Sequence, residues 1–351
     1  MRRRGRHLAR VLLLLALMLA GVACTQGESQ DPRKETEPAL ELEGRMLTTG
    51  GVRDPLMQIH DLDTDTTERY LLPGNPQVVD AFWNESFESA YVLTEGLQTG
   101  LFYEIDHDGR VRRLGEALPG YATTADLGNT TLLATVCRRK SSSVLVMDVE
   151  GGQRWDEVAS GCIGALSPDG REVVFSPDGR TLWTIAASGQ GEAREIADLE
   201  NLVGVQPVDV PEARAESVDW GDGGIALDVS IGDRRLVVLV GEDGSLEAIA
   251  GDPGVDQLAL AWQPDGDQLA VATFSSAFND AEAVIRIVDT DRGEAEVVAL
   301  DPSRFFNMTW SPDSTYLVAT TSQGRWLFVD AEGDWMASEH VITAGAIDWA
   351  P

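Results

Sequence analysis

The feature that most limits the possible folds of this chain is a short turn motif that recurs along it. Residues 167–170 and 176–179 both read Ser-Pro-Asp-Gly, and degenerate copies stand at 263–266 and 311–314. Pro presets φ for the first corner of a tight turn, Asp can bond back to the backbone, and Gly accepts the positive φ that follows. Because β-branched and aromatic residues flank each copy, the motif predicts pairs of strands joined by turns.

The motif belongs to a longer repeat. A Trp or Leu ends the segment before each turn, at Trp83, Leu127, Leu166, Trp220, Trp262, Trp310 and Trp349, with steps of 39 to 54 residues. An acidic turn such as "HDLDTDT" or "VDTDRG" recurs later in six of the seven units. A period near 40 to 45 residues with several short strands per unit is typical of a β-propeller. The fifth unit predicts strands at 257–262, 268–274, 283–289 and 294–300.

The two ends of the chain complete one unit. Residues 44–49, 55–61 and 67–72 predict three strands with no first strand before them, and the C-terminal "AGAIDWAP" supplies a first strand with nothing after it. Pairing the two ends removes open sheet edges. The sequence therefore predicts an all-β fold, a β-propeller of seven four-stranded blades whose last blade is closed by N- and C-terminal strands. A unit whose repeat pattern has been lost from the sequence would make the number of blades six or eight.

The repeated Trp-Ser-Pro-Asp-Gly-x-x-Leu-x-Val pattern resembles the WD40-like (PD40) repeats of TolB-type propellers. The resemblance covers about residues 44 to 351 and implies a fold rather than an activity. The repeated aromatic residue in each unit is then a wedge between blades, in preference to a carbohydrate platform.

The N-terminus predicts export. Five arginines precede the uncharged run 11–23, which is too short to span a membrane. The small residues before Cys24 resemble a bacterial lipobox, so we expect residues 1–23 to be a lipoprotein signal peptide and Cys24 to carry the lipid. Ordinary signal cleavage beside an incidental Cys24 is the alternative. Residues 24–40 then form a flexible tether, and residues 41–351 form the propeller domain.

Charge and motifs restrict the chemistry. The net charge of −31 disfavours nucleic acid as a partner. Asp61, Asp63 and Asp65 imitate the start of a calcium loop, but Thr66 and Leu72 replace its Gly and bidentate Glu. The sequence offers no zinc spacing, nucleophile elbow or phosphate loop, so we expect no catalytic set, metal or cofactor. Because alternate turns of a blade share a face, the acidic turns should make one face strongly negative.

These observations favour a monomeric, membrane-anchored, extracytoplasmic binding module with no enzymatic activity, whose loops contact a protein or cell-envelope component. The alternative is a propeller enzyme of lyase or hydrolase type, with a carboxylate and Arg site in the central channel. Fold does not decide between them. A clustered, inward-facing carboxylate pair with raised pKa beside an Arg would favour the enzyme.

Two further predictions concern particular residues. Cys137 and Cys162 should lie on the same face of neighbouring blades, where export permits a disulfide; two separate thiols are the alternative. The longest insertion, which includes Val208 and Asp209, and a long loop with Phe278, Asn279 and Asp280 belong to the face opposite the acidic turns. Insertions in repeat proteins often mark the binding face, so these five residues are the candidate binding surface; the opposing interpretation is that they decorate the rim.

Overall fold

The structure is a computed structural model. It describes residues 42–50, 56–74, 76–84, 86–95, 99–120, 122–128, 130–137, 142–150, 154–202, 212–253, 257–264, 266–275, 282–290, 292, 294–301, 305–330, 335–337 and 346–351. Within these residues no helix is long and apolar enough to cross a membrane.

The described residues form seven antiparallel four-stranded sheets, the blades, whose strands we letter A to D from the inner strand outward. Blades 1 and 2 comprise β4 Gln77–Trp83, β5 Ala90–Glu95, β6 Gly100–Ile105, β7 Val111–Leu114, then β8 Ala122–Gly128, β9 Thr131–Cys137, β10 Ser142–Asp148 and β11 Asp156–Ala159. Blades 3 and 4 comprise β12 Ile163–Leu166, β13 Glu172–Ser176, β14 Thr181–Ala186, β15 Arg194–Asp198, then β16 Arg214–Gly221, β17 Gly224–Ile231, β18 Arg234–Val240 and β19 Leu246–Pro253. A short 3₁₀ helix, Leu199–Asn201, follows β15.

The remaining blades follow the same pattern. Blades 5 and 6 comprise β20 Gln257–Trp262, β21 Gln268–Ser275, β22 Glu282–Asp289, β23 Glu294–Asp301, then β24 Phe305–Trp310, β25 Tyr316–Thr321, β26 Trp326–Asp330 and β27 Trp335–Ala337. Blade 7 comprises β28 Ile347–Ala350, β1 Arg45–Thr49, β2 Leu56–Asp61 and β3 Thr66–Leu71.

The predicted fold class is confirmed: the protein is a seven-bladed, all-β propeller. The strands of blade 5 begin and end within one residue of the predicted bounds. In blade 7, β28 pairs antiparallel with β1, and Arg45 lies opposite Ala350. The two ends of the chain therefore share one sheet, as the repeat register predicts.

The core lies between the blades, and the repeated aromatic residues occupy it. Trp83, Trp310 and Trp349 are each no more than 5% exposed. The indole N–H of Trp310 donates to the carbonyl of Ala261 in the preceding blade, at 3.0 Å. A side chain at Gly221 would overlap the ring of Trp262 in the following blade. These contacts are those of wedges between blades, the role that the repeat pattern indicates.

The Ser-Pro-Asp-Gly motifs are turns with a shared hydrogen-bond pattern. The Ser167 hydroxyl donates to Asp169 at 2.7 Å, and the Ser311 hydroxyl donates to Asp313 at 2.6 Å. These hydroxyls lower the pKa of both aspartates below the usual value. Gly170 takes a φ of +66°, the left-handed region that favours glycine, and Ser314 takes the equivalent position with a φ of +62°.

The A–B and C–D turns lie together on one face of the propeller, which we call the acidic face. Backbone hydrogen bonds join the two turns of a blade: Val149 N–H donates to Thr130 O in blade 2, and Ala187 N–H donates to Arg171 O in blade 3. Leu62 N–H donates to Gly44 O in blade 7. The acidic turns of the sequence fall on this face. The B–C loops and D–A connections form the other, which we call the opposite face.

Candidate functional site: the central channel

The inner strands of the ring expose backbone N–H groups toward the channel, where no further strand pairs with them. A buried carboxyl meets two of these groups between blades 2 and 3. One oxygen of Asp126 accepts the N–H of Leu127 at 2.8 Å in its own strand, and the other accepts the N–H of Leu166 at 2.8 Å in the next blade. Asp126 therefore ties two inner strands together.

The same tie closes the ring between blades 7 and 1. One oxygen of Asp348 accepts the N–H of Trp349 at 2.8 Å, and the other accepts the N–H of Trp83 at 2.8 Å. Trp83 and Trp349 are 266 residues apart in sequence, so this carboxyl joins the two ends of the chain through the inner strands as well as through the sheet of blade 7.

Two more inner strands carry such a carboxyl. Asp219 in blade 4 accepts the N–H groups of Trp220 and, in blade 5, Trp262. In blade 1 the carboxyl lies two residues earlier than the pattern, at Asp80, and it accepts the N–H of Ala81 and, in blade 2, that of Ala125. The inner strands of blades 3, 5 and 6 have Ala165, Ala261 and Thr309 directly before the wedge residue, where Asp126, Asp219 and Asp348 stand.

Three of these carboxyls line a cavity in the channel with a volume of about 200 Å³. Asp80, Asp126 and Asp219 contribute to its wall, together with Glu216 and Cys162. Cys162 directly precedes the inner strand β12, and Glu216 lies near the start of the inner strand β16. Both strands begin at the opposite face, so this end of the cavity lies toward that face. The cavity therefore joins the channel carboxyls to the face on which the sequence predicts binding loops.

The channel raises the pKa of all four aspartates. Burial is the largest cause for each, and it raises the pKa of Asp80 and Asp219 to about 7 and that of Asp348 to about 6. Burial also raises the pKa of Asp126. The negative charge of Asp126 adds to the rise at Asp80 and at Asp219. Four turn aspartates of the acidic face shift the other way, because side-chain hydrogen bonds lower the pKa of Asp61, Asp169, Asp243 and Asp313.

The remaining charged groups near the cavity are already engaged. Glu216 accepts a hydrogen bond from the Ser230 hydroxyl at 2.5 Å. Arg235 makes a two-point ion pair with Asp228, with its Nε 2.7 Å from one carboxyl oxygen. Asp228 is 1% exposed. This arginine therefore balances a buried charge within blade 4.

No group of three His, Cys, Asp or Glu side chains in the described ranges is arranged to hold a metal ion. The channel carboxyls are spread over separate blades, and Asp126 and Asp348 use both of their oxygens for backbone N–H groups.

Cys137 and Cys162 form a disulfide between blades 2 and 3, with Cα atoms 5.2 Å apart. It lies on the opposite face beside the cavity, which Cys162 helps to line. Cys24 lies outside the described residues, as do Val208, Asp209, Phe278, Asn279 and Asp280. The disulfide is thus the one predicted site that falls within the described part of the chain.

The channel aspartates are absent from the sites predicted by sequence. A signal for them exists: an Asp directly precedes the wedge residue in "ADL", "VDW" and "IDW", at Asp126, Asp219 and Asp348. A charged residue in the middle of an apolar inner strand indicates a buried, hydrogen-bonded carboxyl.

Comparisons with known proteins give a fold and no narrower family. No protein-family model matches the chain. A curated "Cell surface glycoprotein" from Haloferax gibbonsii is 26% identical over 176 residues, which are 50% of this chain and 16% of that protein. The solved structure of a proposed 6-phosphogluconolactonase from Bacteroides uniformis is 14% identical, with a TM-score of 0.62 over 88% of this chain and 99% of that one.

TolB from Acinetobacter baumannii is 16% identical over 87% of this chain and 80% of that one, with a TM-score of 0.47, too low to support an inference. The Swd1 β-propeller domain from Myceliophteria thermophila is 13% identical over 82% of this chain and 91% of that one, with a TM-score of 0.51, and its fold agrees with the architecture of the described residues. The protein is a seven-bladed β-propeller.

Proposed function

We propose that this protein is a membrane-anchored, extracytoplasmic lipoprotein whose propeller is a non-enzymatic binding module for a protein or cell-envelope partner. The observation that carries the non-enzymatic role is the use of the channel carboxyls. Asp126 and Asp348 each direct both oxygens at backbone N–H groups of adjacent blades. Carboxyls used in this way stabilise the ring and are poorly placed to act on a substrate.

The alternative is a lyase or hydrolase that works in the channel. Raised carboxyl pKa values beside a cavity are what such an enzyme needs. It would also need a cation to bind an anionic substrate or stabilise developing charge. The residues that line the described cavity include no arginine or lysine, and the nearby Arg235 is paired with Asp228. These observations favour the binding module.

Export is supported by the sequence at Cys24 and by the disulfide, because disulfides persist in oxidising compartments. The Haloferax gibbonsii protein is named for the cell surface, and a surface location for this chain would agree with that name.

The anchor is tested by replacing the lipidated residue. Cys24→Ala should move the protein from the membrane fraction into the medium or periplasm, because one residue carries the whole anchor. The measurement is immunoblotting of membrane and soluble fractions, with Cys137→Ala/Cys162→Ala as a control that removes cysteines but keeps Cys24. Retention of Cys24→Ala in the membrane would contradict the proposal.

The binding surface is proposed on the opposite face, at residues 203–213 and the loop with Phe278. Large apolar side chains at loop tips often dominate binding energy. We expect Phe278→Ala to reduce capture of a cross-linked partner from the native membrane at least about tenfold, as quantified by mass spectrometry.

The matched control for that experiment is Val297→Ala, which removes apolar surface from the outer strand of the same blade, where Val297 is 49% exposed. It should leave capture unchanged, and both variants should unfold at the temperature of the wild type. Equal capture by wild type and Phe278→Ala would move the binding surface elsewhere.

A further inference from the structure

The channel wall gathers negative charge from several blades. Asp348, Asp80 and Asp126 lie on the consecutive blades 7, 1 and 2, and Asp219 lies on blade 4. Part of each of these four residues is accessible, although its carboxyl group is buried. The charges are close enough to interact, because Asp126 influences both Asp80 and Asp219, and Asp348 influences Asp80. Placing several like charges in a narrow, poorly hydrated space disfavours their simultaneous ionisation.

Charged groups on the neighbouring elements do not offset this charge. Strands β12, β20 and β24 contain no charged residue. Strand β16 adds the carboxyl of Glu216 and the exposed Arg214, which lies 3.8 Å from the carboxylate of Glu212. Arg45 on β1 lies over the Trp83 ring, 4.8 Å from its centroid, and its guanidinium donates a hydrogen bond to the carbonyl of Phe87. Arg235 on β18 pairs with Asp228 on β17. Among the described residues of these strands, Arg45, Arg214 and Arg235 are therefore directed at other partners, and Arg234 is exposed to solvent.

The carboxyls also join blades, so their charge state affects the ring itself. Each accepts an N–H from its own strand and another from the next blade. An ionised carboxyl accepts these bonds strongly but loses hydration and repels its neighbours. A protonated one keeps a carbonyl oxygen as an acceptor and carries no repulsive charge.

We propose that the channel is a pH-responsive element, in which the clustered carboxyls of Asp80, Asp219 and Asp348 take up protons as the pH falls from 8 to 6 and thereby stabilise the closed ring. The response would also remove negative charge from the cavity that points toward the opposite face. It depends on the channel alone and holds whether or not Cys24 carries a lipid.

The direction of the effect follows from the pKa values. A carboxyl with a pKa of about 7 in the folded protein and near 3.8 in the unfolded chain binds more protons when folded. Its contribution to stability is complete below the unfolded value and is lost as pH rises through the folded value. Stability should therefore increase between pH 8 and pH 6, whereas Asp61, Asp169, Asp243 and Asp313, whose pKa values are lowered, reduce stability only at much lower pH.

A pair of variants separates this response from the general relief of charge repulsion in an acidic protein. The folding equilibrium constant of full-length wild type, from urea unfolding, should rise more than tenfold from pH 8 to pH 6. Asp219→Asn should reduce that rise by about tenfold, the amount expected for one carboxyl with a pKa near 7. Asp233→Asn, which removes the same charge from an exposed turn of the same blade, should reduce it by less than about twofold.

Proton release provides a test on the wild type alone, in case Asp219→Asn does not fold. Unfolding in weakly buffered urea at pH 6.5 should release roughly one to two protons per chain, because the unfolded carboxyls ionise. Parallel pH profiles for Asp219→Asn and Asp233→Asn would overturn the proposal. Absence of proton release from wild type would overturn it independently.

Discussion

Replacement of Gly170 by alanine should destabilise the folded protein by about 3 kcal/mol or more, from the combined cost of a left-handed backbone and of overpacking. Gly170 has a φ of +66°, which an L side chain adopts only with strain. A Cβ at this position would also overlap the carbonyl oxygen of Gly128, a backbone atom of the neighbouring blade. The converse is also true, because a Cβ on Gly128 would lie 2.7 Å from the Cα of Gly170.

The two turns cannot separate without cost, since the carboxyl of Asp126 joins the same two blades through the N–H of Leu166. A shift large enough to admit a methyl group would lengthen this 2.8 Å hydrogen bond. The steric effect of the substitution is therefore transmitted to the inner strands.

Gly191→Ala is the matched control for this prediction. Gly191 has a φ of +101°, but a Cβ there would meet no atom within 4 Å. Its substitution should cost about 1 to 2 kcal/mol, the conformational penalty alone. The comparison is made by urea unfolding at one pH. Equal losses for the two variants would show that the contact between blades 2 and 3 contributes nothing measurable.

The sequence predicts the repetitive part of this fold well, because each unit repeats the same physical signals. Turn residues mark the A–B turn, a large apolar residue marks the wedge, and acidic residues mark the C–D turn. Even the pairing of the chain ends follows from the order of strands within a unit. The second Ser-Pro-Asp-Gly, at 176–179, joins β13 to β14 and so belongs to a B–C loop on the opposite face. The motif encodes a turn, and its position in the blade determines the face.

The channel ties are harder to predict because their partners belong to different units. The carboxyl of Asp126 and the N–H of Leu166 are 40 residues apart, and they meet only after the ring has formed. An Asp in an apolar strand can indicate an exposed position or a buried acceptor, and a single sequence does not distinguish the two. The raised pKa values are harder still to predict from sequence, since they depend on burial and on carboxyls from other blades.

The ring architecture also explains how one protein can combine a rigid scaffold with a variable surface. The wedge residues and channel carboxyls fix neighbouring blades relative to each other, and all of them belong to the inner strands. Loop substitutions on the opposite face can therefore change binding with little effect on stability, which is the separation that the Phe278→Ala and Val297→Ala experiment requires.

Trp349 lies in β28, opposite Met46 of β1, where the first and last strands pair in blade 7. Trp349→Ala should destabilise the protein by about 4 kcal/mol, within the range for truncating a buried aromatic side chain. Trp349 is 3% exposed, and its ring centroid lies 5.7 Å from that of Phe328 in blade 6. Its indole N–H donates to the carbonyl of Glu43 at 3.0 Å, which binds the segment that leads into β1.

The loss at Trp349 should exceed that at an ordinary core position, because β28 has only four residues with which to hold the ring closed. Opening of this strand would expose the inner edge of β1 and remove the Asp348 tie to Trp83 at the same time. Leu71→Ala, in the outer strand of the same blade, is the control, since Leu71 is 68% exposed and its loss should cost less than about 0.5 kcal/mol. Urea unfolding of both variants measures the difference, and a loss at Trp349 no larger than that at Leu71 would mean that the C-terminal strand does not hold the ring closed.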